Sequence, residues 1–451
     1  MRIVHAVGWY FPDSIGGTEV YVAALARHQC GAGMEVAIAA PQAGLQAPQS
    51  YVHDGVRVFR YPVPLAPTRD EVQGRVAVRG SDVMHAWLRE MAPDVLHVHS
   101  LVTGLGLREI DSACAAGAHV VLTHHLPSLG FICQRGTLMR WGRELCDGDV
   151  PAETCGACAL HDRGIPRPLA AGIATAPRQA KALARYLPQP IDTALSMTTL
   201  IVRDRTRQRD LDAMVDCHVA LNEHARRVLV ANGADPDRVE VNRLGVGFHA
   251  PVKADGPAGR PLRIGYVGRF HPVKGIGDLL RAFEALPRAA DVQLEIRGPR
   301  TDHDARAIAA AIEAAGRRDP RIRLADPVPV QDVPAVLVSY DVLCCPSRWF
   351  ENGPTIALEA MAVGTPVIAT TATAVAELMA DGASGRLVPV ADWRALAAVL
   401  KDVTARPADT IDSWRRHLPP TRTMQNVADD YGRMYARLLA APERHDRAVH
   451  A

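Results

Sequence analysis

Short apolar runs alternate along the chain with stretches whose apolar residues recur every three or four positions, the pattern of parallel strands joined by helices. In the first half, Ile3 to Val7, Glu35 to Ala39, Val56 to Tyr61, Val95 to Val98 and His119 to Thr123 predict strands, with a helix over about Thr18 to Cys30. From about Leu126 to Asp210 the rhythm breaks. This segment is rich in Pro, Gly, Cys and Arg and reads as an insertion that carries helices. The rhythm resumes with a strand at Met214 to Leu221, a helix over His224 to Ala231 and a strand at Arg238 to Asn242. His249 to Pro261 has the composition of a linker. Strands are predicted again at Leu262 to Val267, Val292 to Arg297, Ile322 to Leu324, Asp341 to Pro346, Pro366 to Ala369 and Gly385 to Val388. A last amphipathic helix, about Met424 to Leu439, carries Val427, Tyr431, Met434, Tyr435 and Leu438 at helical spacing.

The implied class is α/β, with two doubly wound, Rossmann-like domains, because 451 residues exceed one comfortable core. The expected boundaries are 1–250, with the insertion at about 126–210, then 251–423; residues 424–451 are expected to pack back on the first domain as a helix and tail. Ligands bind such sheets at the carboxyl ends of the strands, so two facing domains would make a cleft there. With 48% apolar and 22% charged residues and a net charge of +2, the composition suggests no nucleic-acid partner. No apolar run approaches the roughly 18 to 20 residues of a membrane span, and the chain starts directly in a strand pattern. A cytoplasmic location is the expectation.

The segment SRWFENGPTIALEAMAVGTPVIAT, Ser347 to Thr370, carries the most chemistry. Gly353 reads as an N-cap and Pro354 as the first helical residue, so the N–H groups of Thr355, Ile356 and Ala357 are expected to be free for an anion such as phosphate. Glu351 and Glu359 flank that start and suit neutral hydroxyl groups on either side of the phosphate, which is the layout of a nucleotide sugar. In GYVGRFHPVKG, Arg269 and Lys274 follow a strand and would offset a diphosphate and stabilise a departing nucleotide. Gly16 and Gly17 open the first helix, where a ligand could approach the backbone closely. They do not match the dinucleotide fingerprint, which disfavours a nicotinamide cofactor. His124 and His125 end a strand, and either is a candidate to orient the sugar or the acceptor. His97 and His99 point to one face and suit a structural or cleft-lining role better than metal binding.

Taken together, GGTEVYVAALA, PDVLHVHS, VVLTHH, VALNEHARRVL, GYVGRFHPVKG and DVLCCPSRWFENGPTIALEAMAVGTPVIAT resemble glycosyltransferase family 4, retaining enzymes of the GT-B fold. The resemblance implies an acceptor domain followed by a donor domain and transfer from a UDP- or GDP-sugar to a hydroxyl acceptor, as in polysaccharide or glycoconjugate synthesis. It places Glu359 on the ribose, Glu351 near the donor sugar, Arg269 and Lys274 on the diphosphate, and His125 in the active site. It further implies a front-face mechanism and no cofactor or catalytic metal. Two departures stand out: Leu126 replaces an acidic residue after His125, and the segment ending at Glu377 lacks the family's glycines and proline. A sugar-nucleotide 2-epimerase or a catalytically silent scaffold subunit on the same fold are the alternatives.

Cys133, Cys146, Cys155 and Cys158 fall in one short irregular segment ending in C-x-x-C, which fits a structural zinc site better than free thiols or disulfides. The stretch Arg163 to Arg209 has nine basic residues and two acidic ones, Asp192 and Asp204. It reads as a solvated face or as a peripheral contact with an anionic membrane that presents a lipid-linked acceptor.

Overall fold

A computed structural model describes residues 1–14, 16–177, 186–248 and 260–441. Most of the expected linker, with Arg178, Lys181 and Arg185 of the basic stretch, lies outside these. The chain divides into two compact units, one of Met1–Leu138, Asp147–Gly247 and Met424–Ala451, the other of Met139–Cys146 and Phe248–Thr423. Among the described residues, no helix is long and apolar enough to cross a membrane.

The first unit is built on β1 (Arg2–Ala6), β2 (Glu35–Ala43), β3 (Gln49–His53), β4 (Val56–Val63), β5 (Val95–Val98), β6 (His119–Thr123), β9 (Cys217–Ala220) and β10 (Val239–Val241), the short hairpin strands β7 (Met139–Arg140) and β8 (Glu144–Leu145) lying outside it. Their order is β10-β9-β6-β5-β1-β2-β4-β3. Pairing is parallel except for β3 against β4. β3 has no sequence signal because it is an edge strand with most of its residues exposed.

Side chains alternate across the sheet. Val4, Ala6, Leu96, Val98, Val120 and Leu122 join one apolar core with Trp87 and Leu88 of the helix Ser81–Met91. The alternate positions, His5, His97 and Thr123, face the helices Gly17–Gly31 and Met424–Ala440, as their hydrogen bonds to Gln29, Tyr435 and Tyr431 show. The strand predicted from Met214 is shorter than expected. The preceding helix runs over Gln189–Met214, because Met197, Ile201, Asp204, Gln208 and Leu211 keep a helical spacing of buried positions to its end.

In the second unit, β11 (Leu262–Val267), β12 (Val292–Arg297), β13 (Ile322–Ala325), β14 (Val342–Cys345), β15 (Val367–Thr370) and β16 (Gly385–Val388) form a wholly parallel sheet, in the order β13-β12-β11-β14-β15-β16. Its strands β14 (VLCC) and β15 (VIAT) are near-continuous apolar runs because helices cover both faces, whereas β12 alternates. The strand order reverses between β11 and β14, and ligands of doubly wound sheets bind outside that switch point.

Candidate functional site

Two loops meet at the switch point of the second unit, the one after β11 and the one after β14. Gly275 permits their approach: its φ is +71°, and a Cβ there would lie 1.8 Å from the Pro346 carbonyl oxygen. The Arg348 N–H donates to the Val273 carbonyl at 2.7 Å. The Arg348 guanidinium grips both carboxylate oxygens of buried Asp278 at 2.6 and 2.5 Å, tying the second loop to the helix Ile276–Glu284.

Lys274 and Glu351, expected to act on separate parts of a ligand, are paired with each other. Lys274 Nζ donates to Glu351 Oε1 at 2.6 Å, and Ser347 Oγ donates to the same oxygen at 2.5 Å. An ammonium has three donors, so the pair leaves Lys274 further capacity and Glu351 its second oxygen. The backbone of Glu351 bridges that of Thr373, with Glu351 N–H on the Ala372 carbonyl at 2.9 Å and Ala374 N–H on the Glu351 carbonyl at 2.8 Å. Lys274 Nζ also stands 5.1 Å from the centre of the Trp349 ring. Arg269 is exposed and has no ion-pair partner among the described residues. Ser347, Arg348 and Trp349 were missed as site residues, since nothing in their spacing tells which groups they will meet.

The helix begins one residue later than expected. Pro354 is its N-cap with ψ 82°, a non-helical value, and the helix spans Thr355–Ala362. Thr355 N–H consequently donates to the Gly353 carbonyl at 3.0 Å and Ala357 N–H to the Pro354 carbonyl at 3.1 Å. Of the three amides expected to face a ligand, Ile356 N–H is the one without a partner among the described residues. Glu359 follows on the same helix with no hydrogen-bond or ion-pair partner among them, and burial pushes its carboxyl up to about 7.

In the first unit, Gly16 caps the helix Gly17–Gly31, and a Cβ on it would lie 2.6 Å from Glu19 Oε2. Glu19 is buried and accepts from Ser14 Oγ at 2.6 Å, so the carboxylate sits against the glycine turn. The two histidines after β6 separate. His124 turns inward, its Nε2 3.1 Å from His218 Nδ1, whereas His125 is half-buried and lines a small cavity with Ser100, Leu126 and Ser128.

His125 Nε2 is 3.0 Å from His99 Nδ1, His99 Nε2 is 2.9 Å from His5 Nδ1, and His5 Nε2 is 2.7 Å from Gln29 Oε1. His97 bridges Tyr435 OH at 2.6 Å and Thr123 Oγ1 at 2.7 Å. His5, His97 and His99 place ligand atoms within 4.8 Å of one another. Every ring nitrogen of the three already has a partner in these bonds, so a hydrogen-bond network accounts for them without a metal. Burial holds His5 down at about 4 and His125 at about 3, and His97 and His99 well below the usual imidazole range.

All four cysteines of the insertion are reduced and half-buried. Cys155 and Cys158 lie one turn apart on the helix Ala152–Asp162; with Cys133 they belong to the first unit, while Cys146 belongs to the second. Part of the basic stretch is tied inward. Arg203 donates to Gln73 at 2.8 Å, Arg205 donates to the Val150 carbonyl, and the Arg207 guanidinium lies 3.9 Å from the Phe131 ring centre. Leu169, Tyr186, Leu187 and Ile191 nearby are exposed.

Two family models match the chain: Glycosyltransferase Family 4 over residues 15–146 and Glycosyl transferases group 1 over residues 261–405. The chain is 32% identical over 212 residues to the putative colanic acid biosynthesis glycosyltransferase WcaL of Salmonella typhimurium, a match covering 45% of this chain and 50% of that one. It thus spans about half the length of the curated relatives it matches. Among solved structures, the sucrose-phosphate synthase of Thermosynechococcus elongatus superposes with a TM-score of 0.66 at 19% identity, covering 98% of this chain and 100% of that one. HepE of Anabaena, solved with UDP-glucose, superposes at 0.61 with 12% identity, covering 97% and 100%. These likenesses show the fold, two Rossmann-like α/β domains of the GT-B type.

Proposed function

The chain belongs to the family 4 type of glycosyltransferases, and we propose that it moves a sugar, with retention of configuration, from a nucleoside diphosphate sugar to a hydroxyl acceptor. The observation that carries this reading is the site at the switch point of the second sheet. There, Lys274 is held by Glu351 and Ser347 while Arg269 has no ion-pair partner among the described residues, so two cations stand ready for a diphosphate. Ile356 N–H adds a donor at a helix start. Their combined charge stabilises the diphosphate as it leaves, which is the main source of rate acceleration in such chemistry, and does so without a divalent cation. Glu359, desolvated and without a partner among the described residues, accepts from the ribose hydroxyls once ionised, and the second oxygen of Glu351 is left for the donor sugar. The departing phosphate takes the acceptor proton, so no protein nucleophile is required. Gly16 and Gly17 in the first unit supply a backbone turn for the nucleotide sugar, and His125 orients the sugar or the acceptor.

HepE's UDP-glucose makes UDP the first probe. UDP, GDP or ADP that binds the folded state raises the unfolding midpoint by an amount that grows with its affinity. Incubation with the matching sugar nucleotide, with and without candidate acceptors and without added divalent cation, then distinguishes transfer from epimerisation. If none of the three nucleotides shifts the midpoint and no donor is consumed, the reading fails. Relatives named for colanic acid biosynthesis and for D-inositol 3-phosphate make a polysaccharide or glycoconjugate acceptor the class to try first. The exposed Leu169, Leu187 and Ile191, in a stretch of sequence rich in Arg, support a lipid-linked form of it, presented at a membrane surface.

A further inference from the structure

The buried imidazoles of the first unit form a chain with a direction. Gln29 Oε1 can only accept, so His5 carries its proton on Nε2 and leaves Nδ1 bare. The next contact is His5 Nδ1 to His99 Nε2, which makes His99 the donor there and leaves its Nδ1 bare. That atom faces His125 Nε2, so His125 too is protonated on Nε2. The orientation of the Gln29 amide is consistent with a second string of bonds. Its nitrogen points to Tyr435 OH at 3.5 Å, Tyr435 gives its proton to His97 Nδ1, and His97 Nε2–H donates to Thr123 Oγ1. A one-way chain requires neutral rings, and burial lowers the pKa of each histidine in it. His125 is the end that reaches the surface, where its Nδ1 has no partner among the described residues.

We propose that Gln29 is a positioning residue that sets, through His5 and His99, the tautomer of His125, so that His125 presents a bare Nδ1 to accept a hydrogen bond from a substrate hydroxyl. The identity of that hydroxyl rests on the glycosyl-transfer reading; the tautomer does not. Without an acceptor at position 29, His5 Nε2–H would be a buried donor with no partner. Reversing the chain relieves that, because a bare acceptor costs less to bury, and the reversal ends with His125 protonated on Nδ1. His125 then offers a donor where an acceptor is required.

The test uses the full chain labelled with 15N-histidine, with His125→Ala to assign the resonances. In the wild type, His125 Nε2 should show a pyrrole-like and Nδ1 a pyridine-like resonance. Gln29→Met, which keeps the shape and removes the oxygen, should exchange the two, and Gln29→Glu, which can still accept, should restore them. In transfer assays Gln29→Met should lower kcat about tenfold or more, within the range of a lost proton-handling contact, while the UDP dissociation constant stays within about twofold. A wild-type His125 protonated on Nδ1, or a Gln29→Met protein whose His125 resonances match the wild type, overturns the proposal. The expected resonances in a protein that consumes no sugar nucleotide would sustain the relay and refute the glycosyl-transfer reading instead.

Discussion

Replacing Glu359 by Gln should remove a pH dependence that the wild-type protein carries. Burial raises this carboxyl from 4.5 to about 7 in the folded chain, whereas the unfolded chain keeps the lower value. Between those values the folded state holds the extra proton, so the associated stability is complete below pH 4.5 and is lost as pH rises through about 7. At 1.36 kcal/mol per pH unit the loss totals about 3 kcal/mol. Wild type and Glu359→Gln should therefore unfold alike near pH 4 to 5, while at pH 8 the variant should be the more stable by up to that amount. Nucleotide binding should run the other way. A carboxylate that accepts ribose hydroxyls must first lose its proton, so UDP should bind the wild type about tenfold more weakly at pH 6 than at pH 8, with proton release. Titration calorimetry in buffers of different ionisation heat reads both quantities. Glu359→Gln controls for the titration of the nucleotide's own phosphate and should bind more weakly at pH 8. Identical pH profiles for the two proteins, in stability and in binding, would refute the assignment.

Lys274→Ala should lower turnover on the order of 100-fold, as for a lost oxyanion donor, and should also destabilise the protein because Glu351 loses its counter-charge. Adding Glu351→Gln should recover stability but not turnover; recovery of both would show that the pair is only structural. Gly275→Ala forces a Cβ onto the Pro346 carbonyl at a positive φ, so a loss of at least about 2 kcal/mol is expected by thermal or urea unfolding; a change under about 0.5 would mean that the two loops can part freely. The zinc that the sequence leads one to expect on Cys133, Cys146, Cys155 and Cys158 is checked by elemental analysis of the untagged protein, which should find about one equivalent. Alanine at Cys155 and Cys158 should abolish it, and metal far below one equivalent rejects the site.

Much of the fold was legible because its signals are local. Apolar or alternating runs bounded by turn residues marked every strand of the second sheet, and Pro354 marked a helix start to within one residue. The edge strand Gln49–His53 was not legible, because an exposed edge needs no alternation. The end of the helix at Met214 was misjudged because an apolar stretch serves a helix face as well as a strand. In the candidate site, Arg269, Lys274, Glu351 and Glu359 were singled out by their combination at strand ends beside a helix start and by the motifs that carry them, since cations at a turn are by themselves as often a solvated surface.

The sequence by itself thus determined the parallel α/β class, which follows from spacing within a few residues, and the family, through the resemblance of its motifs; it also offered candidate residues for a charged ligand. Tertiary structure decided the partners. Lys274 meets Glu351 from 77 residues away, Arg348 meets Asp278 across 70, and the path from Gln29 to His125 depends on β1 and β5 pairing with His5 beside His97. A hydrogen bond falls off within a few tenths of an ångström, so its partner is set by sheet register and loop approach, and those belong to the folded chain as a whole.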